Sequence, residues 1–71
     1  MSLRVELASP PDREQLVAQI MADDEQCAEL NIEHGILQVE IIPRGDGTPW
    51  QFSYESLVQA LVEAKDRLLN R

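Results

Sequence analysis

The chain has 71 residues, 13 acidic and 6 basic, and a formal net charge of −7. A pI near 4.4 means repulsion from nucleic-acid phosphates and anionic membrane surfaces, so neither is an expected partner and a protein with a basic surface is favoured. One Cys cannot form an internal bridge, no basic-then-apolar leader opens the sequence, and no apolar run approaches the ~20 residues of a membrane span, which together point to a reducing cytoplasm.

This length makes a single domain, residues 1–71, which hides only about 60% of the surface its unfolded chain exposes. With neither a disulfide framework nor a metal cluster to reinforce it, its stability margin is thin, and a partner protein or a second copy in a homodimer would widen it.

Leu3, Val5 and Leu7 alternate with Ser2, Arg4 and Glu6, the period of a strand with one buried face. Residues 2–8 are read as the first strand, completing the sheet at an edge. Residues 13–22 are ambiguous: Leu16, Val17 and Ile20 also satisfy helical spacing, and Pro10-Pro11-Asp12 could begin a helix. Register favours a strand. A three-residue Asp23-Asp24-Glu25 loop sets Leu16, Ala18 and Ile20 opposite Ile32, Leu30 and Ala28, apolar against apolar at each position.

A two-residue His34-Gly35 turn then sets Ile32 opposite Leu37, Leu30 opposite Val39 and Ala28 opposite Ile41 on the same buried face. Residues 15–43 therefore read as a three-strand meander. From Ser53, a suitable N-cap, the period becomes helical: Tyr54, Leu57, Val58, Leu61, Val62, Leu68 and Leu69 make one stripe, with Glu55, Gln59, Glu63 and Asp66 opposite. Glu63 and Arg67 form a favourable four-residue pair. The expected fold class is α+β in two layers, an antiparallel meander of three to four strands with the C-terminal helix, residues 54 to 69, laid across its apolar face.

The chemistry-bearing residues do not assemble into a catalytic or metal-binding pattern. Cys27 and His34 are seven residues apart on one expected strand, roughly 23 Å, too far for a nucleophile–base pair. Asp23, Asp24 and Glu25 are consecutive and lack the spaced ligands and the glycine of a calcium loop, so no metal or cofactor is expected. The stretch "RGDGTPWQF", residues 44–52, has glycines ahead of a helix, but Trp50, Gln51 and Phe52 intervene and the Lys of a phosphate loop is missing. Arg44-Gly45-Asp46 is a three-letter match read as chance. The loop is read structurally: Pro43 ends the last strand, Gly45-Asp46-Gly47 reverses the chain, and Trp50 and Phe52 pin the helix to the sheet. The alternative is that Trp50 is an exposed binding anchor.

The other face of the meander should carry Gln19, Glu29, Asn31, Glu33, Gln38 and Glu40 together, with Glu29 directly opposite Glu40. A like-charge pair costs stability unless solvated or matched by a cation. The face is either wet or the seat of a basic protein partner. With Trp50, these six residues are the candidate partner-binding set.

From Ala28 to Leu69 the sequence has an Asn-x-Glu-x-Gly turn, a Glu-Ile-x-Pro-Arg strand end, an Asp-Gly-x-Pro-Trp loop and a terminal amphipathic helix. In these features it resembles a group of small acidic bacterial proteins that look like immunity partners encoded beside secreted toxins. The resemblance implies occlusion rather than catalysis, with an acidic antitoxin covering the basic active site of its toxin. It supplies no functional residue. A self-associating structural or regulatory module is the alternative, and an enzyme ranks third for want of an acid–base or nucleophile constellation.

Overall fold

The computed structural model describes residues 2–12 and 14–70. Strand periodicity and turn chemistry produce β1 (Leu3–Ala8), β2 (Val17–Ala22), β3 (Glu25–Glu33) and β4 (Ile36–Ile41), and the 3.6-residue period produces α1 (Tyr54–Leu69). The strands form one antiparallel sheet in the order β1-β2-β3-β4, so the first strand completes the sheet at an edge. The α+β class expected from the sequence is the class observed. Residues 17–22 are strand rather than helix, while Arg13 lies outside the described residues.

The β3–β4 turn matches the register derived from His34-Gly35, with Ile32 opposite Leu37, Leu30 opposite Val39 and Ala28 opposite Ile41. Both turn residues have positive φ, 59° at His34 and 75° at Gly35, the conformation whose twist matches that of the flanking strands. The β2–β3 connection differs from the expected three-residue loop. Ala22 pairs Glu25 across a two-residue Asp23-Asp24 turn, and a bulge between Ile20 and Met21 restores the anticipated pairing of Ile20 with Ala28 and Ala18 with Leu30. The extra residue is Cys27, which is buried in the core beside Ala28. Its thiol donates to the Ile20 carbonyl at 3.3 Å. Leu16 packs against the core from just outside β2 and is not paired with Ile32.

The helix starts where its cap requires: the Ser53 hydroxyl accepts the Ser56 N–H at 3.1 Å, Glu55 stands in the first turn and Arg67 in the last. Its buried side meets the expected stripe in part, with Leu68 buried and Leu57, Val58 and Leu61 half-buried. Ala60, Ala64 and Leu68 are buried, whereas Tyr54 is 82% and Val62 55% exposed, and Leu69 is also exposed. The reason is steric. Small residues let the helix lie close to the sheet, where Ala18, Ala22 and Ala28 are equally small, and Ile20, Leu30 and Leu68 are the largest of the fully buried side chains.

The helix contacts β1 and β2, touches β3 lightly and does not reach β4. Width explains this. A helix with its side chains is about 10 Å across, while four strands at about 4.8 Å spacing span roughly 19 Å. One helix therefore covers half of this sheet. Leu37, Val39 and Ile41, expected to be buried with the rest of that face, are instead 37%, 48% and 63% exposed.

Candidate functional site

The loop from residue 42 to 53 is held together by its own side chains. Asp46 Oδ1 accepts the Thr48 N–H at 3.0 Å and the Thr48 hydroxyl at 2.7 Å, and these bonds hold the exposed Asp46 carboxyl below its ordinary pKa. Gly47 donates to the Arg44 carbonyl and has φ of 81°, a conformation that glycine adopts without a Cβ penalty. The Gly45 N–H is taken by Glu25 Oε2 at 3.0 Å, which ties the loop to the β2–β3 turn. The N–H groups that would have to cradle a phosphate are thus engaged internally.

Trp50 is half-buried against the core. Its indole N–H donates to the Ile42 carbonyl at 2.7 Å, its ring stacks on Phe52 at 5.5 Å between centroids, and the Arg44 guanidinium lies 4.9 Å from its ring centre. Together these contacts are the geometry of a pin: one residue fixes the end of β4, the loop and the approach to the helix. Its remaining surface borders a shallow hollow with Ile41, Pro43 and Pro49.

The polar candidates do share a face. Gln19 pairs Glu29, Glu29 pairs Glu40, and Asn31 pairs Gln38. The centre of that face is drier than expected, with Glu29 at 8% and Asn31 at 3% exposure. Asn31 Nδ2 donates to Glu29 Oε2 at 3.0 Å, and Asn31 Oδ1 accepts the Glu33 N–H at 3.3 Å. Glu29, Glu33 and Glu40 are each engaged, so the opposed Glu29 and Glu40 supply no case of their own for an external cation. Gln38 and Glu40 remain exposed at the β4 side, Gln19 and Glu33 half so.

Cys27 and His34 do not meet: the thiol is in the core, its pKa pushed up by burial, and His34 is exposed in the turn. Among the described residues, no three His, Cys, Asp or Glu side chains converge on a metal-sized site, and no helix is long and apolar enough to cross a membrane.

The most prominent surface is one that the polar pattern does not mark. Leu37, Val39 and Ile41 form an apolar row on the helix side of β4, beyond the reach of the helix. Ser56, Gln59 and Glu63 share a hollow with Ser2 and Leu3, and Arg67 bonds the Val5 carbonyl. Helical spacing then puts Tyr54, Val58 and Leu61 on the opposite flank, turned toward the uncovered strands. The signal available in the sequence was the width comparison, one short helix against four strands. Comparison with known proteins gave no matching family model, no matching curated protein and no matching solved structure.

Proposed function

We propose that this protein is a non-catalytic protein-binding module that docks its partner through the β3–β4 half of the sheet. The observation that carries the proposal is the uncovered row Leu37, Val39 and Ile41 on an edge strand, since a long apolar edge is costly to leave in water and natural folds blunt or cover it. The net charge of −7 favours a partner with a basic surface, and Gln38 and Glu40, exposed on the opposite face of the same strand, keep that edge polar on its other side. An immunity-type role, covering the basic active site of a cognate secreted toxin, is the form implied by the resemblance of residues 28–69. A reducing cytoplasm is the compartment that suits a lone buried thiol.

The test is co-expression with the products of the neighbouring reading frames, followed by size-exclusion chromatography. A co-eluting complex is expected that is lost when Val39→Lys puts an ammonium in the row. A complex that survives this substitution puts the docking surface elsewhere and sinks the proposal.

A further inference from the structure

The backbone of β4 determines what its free edge can pair with. Ile42 N–H donates to the Cys27 carbonyl at 2.9 Å, and the register places Glu40 opposite Glu29, Gln38 opposite Asn31 and Ile36 opposite Glu33. Hydrogen-bonded pairs alternate along an antiparallel ladder. Ile36, Gln38, Glu40 and Ile42 therefore bond inward to β3, and the N–H and C=O groups of Leu37, Val39 and Ile41 point outward. The residues with free backbone groups are the same three whose side chains form the apolar row.

We infer that this edge pairs with β4 of a second copy, antiparallel about a two-fold axis at Val39, so that two sheets join into one. The inference rests on the reading of the β3–β4 half as a docking surface and names one occupant for it. In this register Val39 faces its own counterpart and Leu37 faces Ile41 of the other copy. Every outward N–H and C=O of the three residues finds a partner. On the reverse face Gln38 falls opposite Glu40, an amide donor against a carboxylate, and Ile36 opposite Ile42. Pro43, which has no N–H, ends the ladder.

Charge selects this register over its neighbours. A slip one way sets Glu40 against Glu40, a like-charge cross-strand pair; a slip the other way sets Ile36 against Glu40 and brings Ile41 against Gly35 of the turn. β4 carries one charged residue, Glu40, in its six, so the acidic chain is least self-repelling along this edge. The assembly also closes. The other edge, β1, carries the Arg4–Glu6 ion pair at 2.6 Å and has its Val5 carbonyl occupied by Arg67, a charged edge with an engaged acceptor that disfavours strand addition there and so favours growth stopping at two. Pairing brings the two apolar rows side by side and so doubles the docking floor. Edge pairing of six residues buries less than the roughly 800 Å² per partner of a standard interface, so the dimer is weak.

Sedimentation of the isolated protein should give twice the 8.0 kDa chain mass at about 100 µM and fall toward one chain mass on dilution to about 1 µM, as a small interface requires. Val39→Lys, at an exposed position, should leave the circular dichroism unchanged and abolish the dimer. The register has its own readout. Val39→Cys places two thiols at a hydrogen-bonded pair about 5.5 Å apart between Cα atoms, within disulfide range. Leu37→Cys places them about 14 Å apart. Under mild oxidation the Val39→Cys protein should form a covalent dimer at least ~10-fold faster than the Leu37→Cys protein, the native Cys27 being buried. Equal rates overturn the register. A single chain mass at every concentration overturns the second copy but leaves docking of another protein intact. A dimer indifferent to Val39→Lys overturns the pairing through β4 and leaves docking of another protein to the co-expression test.

Discussion

At the β1 edge, Arg4 and Glu6 stand out from the strand as an ion pair, Arg4 also reaches the Asp23 carbonyl, and Arg67 comes down from the helix to the Val5 carbonyl. At the β4 edge, Leu37, Val39 and Ile41 are exposed and no helix lies above them. Both strands are six residues long and both alternate. The difference lies in their neighbours: the helix packs its alanine face on β1 and β2, and its flanking arginine takes up the Val5 carbonyl at the edge beneath it. A fold of this size has one helix to place, and the strand left uncovered is where association becomes favourable.

The sharpest break between the two halves is in stability. Ile20→Ala, in the covered half and fully buried, should cost about 2–5 kcal/mol, whereas Val39→Ala in dilute monomer should cost less than about 0.5 kcal/mol. Urea unfolding of both variants checks this, and similar losses would mean that β4 is as much a part of the core as β2.

Trp50→Ala should remove about 3 kcal/mol or more, since it deletes the stack on Phe52 and the bond to the Ile42 carbonyl together. In so small a domain the variant should be largely unfolded near body temperature. A variant that melts like the parent would make Trp50 a binding anchor rather than a pin.

Arg67→Ala tests the closed edge. Loss of the bond to the Val5 carbonyl should cost on the order of 1 kcal/mol. With the β1 edge opened, species larger than two chains should appear at high concentration. Arg67→Ala sedimenting like the parent would show that this guanidinium does not guard the edge.

The smallest effect concerns pH. Burial holds the Cys27 thiol above its ordinary value of 9.0, so the folded chain keeps a proton that the unfolded chain releases. The contribution of Cys27 to stability is therefore complete below about pH 9 and declines as pH rises above it. In Cys27→Ala that alkaline decline should be shallower, as denaturant midpoints between neutral and alkaline pH would show.

Much of the architecture is legible in the sequence because local signals agree with the global register: the His34-Gly35 turn, the Ser53 cap and the alternation in Leu3–Ala8 each specify one arrangement. The bulge at Cys27 is not legible, because a three-residue loop and a two-residue turn plus one bulged residue give the same pairing beyond Ile20. The buried face of the helix escapes a periodicity count because alanine carries little hydrophobic weight there, yet closeness of approach favours it. Of the candidate site, strand alternation correctly puts Gln19, Glu29, Asn31, Glu33, Gln38 and Glu40 on one face, but the burial of Glu29 and Asn31 depends on neighbours that no strand pattern reveals. The apolar row on β4 looks like core in the sequence because alternation specifies which face a residue occupies, not whether anything covers it.

Amide hydrogen exchange along β4, measured residue by residue over a range of concentration, tests the central claim most directly. In dilute protein the N–H groups of Gln38 and Glu40, bonded to β3, should be protected while those of Leu37, Val39 and Ile41 exchange freely. On concentration the three outward amides should become protected in step with the growth of the dimer. If they stay unprotected when the dimer is fully formed, or are already protected in the monomer, β4 is not the edge through which this protein associates.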